Sequence, residues 1–263
     1  MTSRRETNIC SLTALLAGTL LSTASLAHNG HEGHILSKPN QGVAAPFDLV
    51  HTKVVREGDH LVFQQQVRSD IGSLKPTVNG QLGGSSVFSY VWPTSLDSAA
   101  VGFEEDQGIL ALAMTAHPDF DDTPLVDENG DGDKGNDGNL WHSHWVVLVP
   151  DESCGPGALK VRDIPDGTKP KLPDTWPGLP ILIDSPDYRP QLNNTKVEIR
   201  VPLAAVGSPD TFNYDGVTAG LRVNANIHNP LLCVVDVMDI ASGDLSLPGK
   251  VNPGRAKALA GSR

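Results

Sequence analysis

The sequence lacks the features of a helical, nucleic-acid-binding or nucleotide-using protein. No segment carries an amphipathic helical pattern over more than three turns. Lys and Arg number 20 against 31 Asp and Glu, and this net charge of −11 argues against binding nucleic acid or an anionic membrane. A Gly-rich phosphate loop, a His-Glu-x-x-His helix and an ordered Ser/His/Asp set are also missing. These absences favour a binding role over catalysis.

The first 27 residues have the composition of an export signal. A start with two arginines precedes an apolar run over residues 12–21, and small side chains stand at Ser25 and Ala27, where a signal peptidase cleaves. The run is shorter than the roughly 20 residues that a bilayer-spanning helix needs. We therefore expect a periplasmic or secreted protein that does not span a membrane once processed. Cleavage removes two basic residues and one acidic residue, which leaves a net charge of −12.

Cysteine is scarce, and its use agrees with export. Cys10 is lost with the signal, so that Cys154 and Cys233 remain. An isolated pair in an oxidising compartment predicts a disulfide, which would stabilise the fold by about 4 kcal/mol in the chain-entropy model. A metal site shared between cysteine and histidine is the alternative.

The remaining chain is a series of short β-rich runs separated by 26 glycines and 20 prolines. Residues 48–55 and 60–68 alternate apolar and polar positions about Arg56-Glu57-Gly58-Asp59, which predicts a hairpin. Further strands are predicted at 86–92, 109–115, 141–149, 159–162, 196–201, 219–227 and 232–238.

This pattern predicts an all-β protein, an antiparallel β-sandwich of jelly-roll or immunoglobulin-like type with long loops. Residues 28–46 are polar and contain glycine, so we expect a flexible histidine-containing tail there. Ordered structure is expected to begin near Phe47, and residues 47–263 fit one β-sandwich domain. Residues 165–190, with seven prolines, are expected to form an extended surface strap.

Two parts of this pattern resemble a known group of sandwiches. The segment 197–203 (VEIRVPL), followed by Phe212-Asn213-Tyr214 and the strand 221–226, resembles the closing strands of DOMON-type domains and related carbohydrate-binding modules. The hairpin 48–68 looks like their opening pair. The resemblance implies a sandwich fold and a ligand such as haem, a sugar or calcium.

An acidic loop follows the predicted strand 109–115. Its oxygen-bearing residues alternate about a glycine, as calcium loops require, because alternate side chains then converge on one point. The predicted calcium ligands are Asp127, Asn129, Asp131, Asp133 and Asp137. Gly138 stands where a bidentate glutamate is expected, so Asp137, or Asp119, Asp121 and Asp122, would have to complete the shell.

A His-x-His pair follows the loop at once. His142 and His144 lie two apart at the start of a predicted strand, so that they face the same side of the sheet. If residues 109–117 and 141–149 form a hairpin, His117 falls near His142. Three imidazoles at one end of a sheet predict a zinc or copper site. The alternative is that they cap the strand and hydrogen-bond to the loop.

A second histidine group opens the chain after the signal. Cleavage after Ala27 would make His28 the terminal residue, able to chelate copper through its amine and its ring, with His31 and His34 nearby on a Gly-rich tether. A disordered leader with incidental histidines is the alternative.

Other ligands and activities stay open at this point. Met114 and His228 are possible axial haem ligands, and Trp92, Trp141, Trp145 and Trp176 could stack on sugars if exposed. The Trp-His-Ser-His-Trp run invites comparison with α-type carbonic anhydrases, but Val146 replaces the glycine expected after the tryptophan. A copper oxygenase that uses His28 is a further alternative.

Taken together, the residues predict an exported metal-binding protein without catalytic residues. Calcium is expected in the acidic loop and copper or zinc at the histidines. The candidate partners are metal ions and another periplasmic protein. The alternative is a sugar- or haem-binding β-sandwich module in which calcium is structural.

Overall fold

The computed structural model describes residues 33–224 and 231–252, which form fourteen strands and three short 3-10 helices. In chain order the strands are β1 (Ile35–Leu36), β2 (Leu49–Glu57), β3 (His60–Val67), β4 (Ser86–Pro93), β5 (Ile109–Ala116), β6 (His142–Pro150), β7 (Leu159–Val161), β8 (Ile183–Asp184), β9 (Gln191–Asn193), β10 (Lys196–Pro202), β11 (Phe212–Tyr214), β12 (Val217–Val223), β13 (Leu232–Ile240) and β14 (Gly249–Val251). The 3-10 helices are Ser98–Val101, Glu152–Cys154 and Leu203–Val206.

The prediction of an all-β antiparallel protein is confirmed. Every strand pair within the described ranges is antiparallel. The predicted strands all occur, with their ends shifted by a few residues, although residues 225–227 of one lie outside the described part of the chain. None of the described helices has the length and hydrophobicity needed to cross a bilayer.

The first sheet has five strands in the order β1-β2-β3-β10-β9. Its centre is the predicted hairpin β2–β3, in which Glu57 pairs with His60 and only Gly58 and Asp59 remain in the turn. Gly58 has a φ of 63°, a left-handed conformation that two-residue hairpin turns commonly require.

This sheet begins earlier in the chain than the sequence predicts. Ile35 is buried and pairs with Thr52, so part of the expected flexible tail is the edge strand β1. The sequence does not indicate β1, because a two-residue strand within a polar, glycine-containing segment has no detectable period.

The second sheet closes into a six-stranded barrel. Its strands follow the order β5-β4-β12-β13-β7-β6, and pairing of β5 with β6 completes the ring, while β8 joins the free edge of β6. The predicted sandwich is therefore not confirmed: one sheet is open, and the other closes on itself. Strands β11 and β14 form a separate small sheet.

The buried apolar side chains form two separate groups. One fills the space between the open sheet and the outer face of the barrel, where Phe63 meets Trp92 and Trp145 edge to face at 6.0 and 5.9 Å between ring centroids. The other lies inside the barrel and includes Val146 and Val161. Residues of β6 alternate between the two groups, because successive side chains of a strand point to opposite faces.

The predicted cysteine pair lies at disulfide distance, with the Cα atoms of Cys154 and Cys233 5.5 Å apart. Cys154 ends a 3-10 helix that follows β6, and Cys233 lies on β13. The pair therefore links two parts of the barrel that are 79 residues apart in the chain.

Candidate metal centre

Four buried side chains meet at one end of the barrel: His117, Asp122, His142 and His144. One ligand atom from each lies within 4.8 Å of all the others. Among the described residues, this is the one group of three or more histidine, cysteine or acidic side chains with the spacing of a metal site.

The strand pairing explains how the histidines come together. Thr115 of β5 pairs with His142 of β6, and Ala113 pairs with His144, so both imidazoles point into the barrel from the same face. His117 follows the end of β5, and its Nε2 lies 3.0 Å from Nε2 of His142. The predicted approach of His117 to His142 is thus confirmed.

Asp122 supplies the fourth ligand atom. Its Oδ1 lies 3.1 Å from Nε2 of His117 and 3.2 Å from Nε2 of both His142 and His144. The sequence offered Asp122 as one way to complete the calcium shell. The structure places it with the histidines instead, because the turn after His117 carries the carboxylate back over the end of the barrel.

The outer nitrogen of each ring is held by a hydrogen bond that fixes the tautomer. Nδ1–H of His117 donates to the carbonyl of Phe120 at 2.9 Å, and Nδ1–H of His142 donates to the carbonyl of Leu140 at 2.9 Å. Carbonyl oxygens only accept, so each ring in its neutral form carries the proton on Nδ1 and leaves a lone pair on Nε2.

His144 is held in the same way through a hydroxyl. The Oγ of Ser185 donates to the carbonyl of Asp122 at 2.7 Å and therefore accepts from Nδ1–H of His144, 3.0 Å away. This one serine orients both a histidine and the backbone of the aspartate. Supporting hydrogen bonds of this kind are the usual partners of metal-binding histidines.

Two of the atoms that face the centre of the cluster have no such hydrogen bond. Oδ1 of Asp122 and Nε2 of His144 are both buried without a hydrogen bond in the described structure. Burial of an unpaired polar atom is unfavourable, and several lone pairs directed at one another repel. The hydroxyl of Thr115, 3.0 Å from Nε2 of His142, is a donor that the described structure places against the group.

The charges within the cluster depend on one another. Burial opposes a charge on His117, but the adjacent Asp122 carboxylate outweighs burial and raises the pKa of His117. Burial also opposes ionisation of Asp122, yet His144 and His117 hold the pKa of that carboxyl well below its usual range. Burial lowers the pKa of His142 to about 4, so this ring is neutral at pH 7. A cation at the centre satisfies all four groups.

The distances favour a tetrahedral ion over a square-planar one. Donors 2.0–2.1 Å from a tetrahedral centre are about 3.3 Å apart, whereas opposite corners of a square would be about 4 Å apart. Asp122 Oδ1 is almost equally distant from all three nitrogens, at 3.1 to 3.2 Å, so none of them lies opposite to it.

Gly138 lets the loop close over His117. A Cβ added there would lie 1.8 Å from the Phe120 carbonyl oxygen and 2.9 Å from Nδ1 of His117. The ring of Phe120 stacks on that of His117 with centroids 3.9 Å apart. The glycine that departs from the calcium-loop pattern is therefore needed by the histidine cluster.

The predicted calcium ligands are arranged differently. Asp127 accepts hydrogen bonds from the backbone of Gly130, Asp131 and Gly132. Asn129, Asp131 and Asp133 each accept one from the residue two positions on. These four side chains thus form turns with their own loop, and calcium binding by them stays a prediction.

Asp137, the fifth predicted calcium ligand, is buried. Its Oδ2 accepts a hydrogen bond from the backbone of Glu128, and its own backbone N–H donates to Asp121. Its Oδ1 and Oε2 of Glu128 are buried without a hydrogen bond in the described structure. These contacts tie the acidic loop to the turn that carries Asp122.

The histidine tail is only partly described. His28 and His31 lie outside the described residues. His34 lies beside His51 of β2, and Nδ1 of His34 is 3.3 Å from Nε2 of His51. His34 is not a member of the four-residue cluster. A role of the tail in binding copper stays a prediction.

Residues that supported other ligands are mostly placed elsewhere. Met114 is fully buried in the layer between the sheets, and His228 lies outside the described residues. Trp92 and Trp145 are fully buried and so offer no surface for a sugar. The partly buried Trp141 and Trp176 both donate their indole N–H to backbone carbonyls.

No family model matches this chain, and neither the curated proteins nor the solved structures include a significant match to it. The resemblance to DOMON-type domains accordingly stays a prediction.

Proposed function

We propose that this protein binds one transition-metal ion, preferably zinc, through His117, Asp122, His142 and His144. A single observation carries the proposal: Oδ1 of Asp122 and Nε2 of His117, His142 and His144 are buried together, with the carboxylate oxygen 3.1 to 3.2 Å from each nitrogen. A divalent cation converts this unfavourable arrangement into four favourable contacts.

The geometry favours zinc over copper(II). Imidazole and carboxylate ligands suit both metals, but copper(II) prefers square-planar or tetragonal surroundings, whereas zinc is tetrahedral in most protein sites. The near-equal spacing around Asp122 supports the tetrahedral choice.

The number of ligands favours holding the metal over catalysis. Structural zinc sites use four protein ligands, whereas catalytic sites keep one position for water. All four side chains are at most 6% exposed, which also favours retention over rapid transfer to a partner protein. We propose a binding role in the periplasm or outside the cell, since the cysteine pair at disulfide distance is compatible with an oxidising compartment.

Equilibrium dialysis with zinc, followed by metal analysis, tests the proposal. We expect one zinc per chain in the wild type and none in a variant with both His142→Ala and His144→Ala. The matched control is His60→Ala, which removes a half-buried imidazole at the β2–β3 turn. The proposal is wrong if the double variant, shown to be folded by circular dichroism, keeps its zinc.

Cobalt(II) substitution tests the geometry separately. We expect the intense visible absorption of tetrahedral cobalt(II), because Oδ1 of Asp122 is nearly equidistant from the three histidine nitrogens. Weak absorption typical of six-coordinate cobalt(II) would contradict the proposed ligand set.

A further inference from the structure

The barrel encloses an apolar cavity of about 160 Å³. Its walls are formed by side chains from every side of the ring, among them Val91, Ala113, Val146, Val161, Val217 and Ala219. Two of these positions are alanine, and small side chains there leave room that larger ones would fill. The hydroxyl of Ser89, which also lines the cavity, already donates to the carbonyl of Ala219.

The two ends of the cavity differ in chemistry. At one end it is lined by His117, Asp122 and His144, three members of the metal cluster. At the other end it is lined by apolar side chains that are more than a third exposed, namely Ile109, Val237 and Leu245. Ile109 begins β5 and His117 follows its end, so the cavity extends along the barrel from an apolar mouth to the cluster.

The mouth includes two residues with an unfavourable backbone conformation. Leu245 and Leu247 have φ angles of 57° and 53°, in the left-handed region that bulky side chains rarely adopt. Both line the cavity. Strained residues that persist in a fold are concentrated at ligand sites, and here they hold apolar side chains at the entrance of a cavity.

We propose that this cavity binds a small uncharged aromatic molecule with one hydroxyl group, of the phenol class. An apolar cavity of about 150 Å³ is large enough to hold a benzene molecule. The apolar walls exclude ions, and the single polar end suits one donor atom. The ring would lie among the barrel valines with its oxygen toward Asp122.

The two parts of this proposal depend on different features. Burial of the ring depends only on the cavity and does not need a metal. The hydroxyl contact involves Oδ1 of Asp122, which lines the cavity and is buried without a hydrogen bond in the described structure. Its test rests on the proposed metal site, because four-coordinate zinc would occupy that oxygen and leave it unable to accept the hydroxyl proton. Benzene therefore tests the first part and phenol the second.

Calorimetric titration of the metal-free and the zinc-loaded protein separates these parts. We expect benzene to bind both forms with affinities within about twofold of each other, because apolar burial does not involve the metal. Phenol should bind the metal-free form at least fivefold more tightly than the zinc-loaded form, because zinc would occupy the oxygen of Asp122 that accepts the hydroxyl proton. Failure of benzene to bind either form would overturn the proposal, whereas equal phenol affinity for both forms would overturn its hydroxyl contact. If the protein takes up no zinc, the benzene titration still tests the cavity.

Filling the cavity provides the matched variants. Ala219→Phe places a ring inside the barrel, and we expect at least a tenfold loss of benzene affinity with the zinc stoichiometry unchanged. The control Ala204→Phe adds the same ring at an exposed position of a 3-10 helix and should bind benzene like the wild type. Unchanged benzene binding by a folded Ala219→Phe protein would refute the site.

A second variant acts at the mouth without changing the interior. Ile109 is 39% exposed, so Ile109→Glu should fold, and it places a carboxylate at the entrance. We expect several-fold weaker benzene binding. If Ala219→Phe does not fold, wild-type affinity in Ile109→Glu would by itself contradict entry at this end.

Discussion

The histidine cluster and the acidic loop are adjacent in the chain, and both have the residue types of a metal site, yet their side chains are arranged in opposite ways. In the cluster, the outer atom of each ring binds the protein and the inner atom is left for a ligand. In the loop, Asp127, Asp131 and Asp133 accept hydrogen bonds from backbone only a few residues away. The cluster is buried, whereas Asp131 and Asp133 are exposed and Asp127 is half-buried.

The difference shows what a spacing rule can predict. Alternation along a paired strand fixes the direction of both His142 and His144, because the sheet determines which face each one occupies. Alternation in a loop does not determine where the side chains point, since aspartate and asparagine readily hydrogen-bond to the nearby backbone and form local turns. Ligand residues on strands are therefore better predicted than ligand residues on turns.

The largest expected difference comes from the same substitution made in both regions. Asp122→Asn removes the charge at the centre of the cluster, and we expect zinc affinity to fall by at least about 100-fold, the upper end of the loss that a supporting residue causes. Asp131→Asn should leave zinc affinity within about twofold of the wild type, since the exposed loop side chain does not contact the site. Competition titration with a zinc-binding dye measures both. Equal effects of the two substitutions would mean that the comparison is wrong.

A second pair of variants tests the role of the loop glycines. Gly138→Ala forces a methyl group against the Phe120 carbonyl, so we expect the free energy of unfolding to fall by about 1–3 kcal/mol or more, together with weaker zinc binding. Gly135→Ala is the control, because its nearest neighbour is a side-chain oxygen 3.4 Å away. Urea denaturation of the metal-free proteins should show little change in the control. A tolerated alanine at 138 would show that the loop does not need this close contact.

Ser185 tests the support of the cluster. Ser185→Ala removes the acceptor for His144 Nδ1–H, and we expect a 10- to 100-fold loss of zinc affinity. Ser185→Thr keeps the hydroxyl and should recover part of the affinity. Ser153→Ala, on an exposed turn, is the control. Zinc affinity that is unaffected by loss of the hydroxyl would remove this serine from the site.

The pH dependence of zinc binding should separate the two regions further. The pKa of His117 is raised, so zinc must displace a proton from this ring. As the pH is lowered, zinc affinity should therefore start to decrease while the pH is still above 6.5, the ordinary pKa of histidine. Each further pH unit should weaken binding about tenfold. In the loop, hydrogen bonds from the Asp133 backbone lower the pKa of Asp131, which stays charged throughout this range. Zinc affinity constant from pH 8 to pH 5.5 would contradict a cluster of histidine ligands.

The smallest expected effect is that of calcium. Because the loop carboxylates already accept backbone hydrogen bonds, we expect only weak calcium binding. Millimolar calcium should then be close to its dissociation constant and should stabilise the protein by less than about 1 kcal/mol. Thermal denaturation with and without calcium measures this effect. A larger stabilisation that is lost in Asp127→Asn would show that the loop is a calcium site, as its spacing predicts.

Much of the fold follows from the sequence, but the site is only partly predictable. Alternation identified β2 and β3, and short β-rich runs indicated β4 to β6. The predicted β5–β6 hairpin correctly brought His117 toward His142. Closure of the barrel was missed, because it depends on which strands pair with the short strand β7. No local pattern indicates those partners.

The missing parts of the site lie on segments without a period. Asp122 was considered only for the calcium shell, because one turn carries several carboxylates and the sequence does not show which one faces the barrel. Ser185 lies 41 residues from His144 in the Pro-rich segment, so only the folded chain brings them together.

The most direct test is anomalous diffraction at the zinc absorption edge from crystals of the zinc-loaded protein. We predict one strong peak at the end of the barrel, bonded at about 2.0–2.1 Å to three histidine nitrogens and Oδ1 of Asp122. A zinc ion held by carboxylates of the acidic loop, with the four cluster side chains unliganded, would contradict the account.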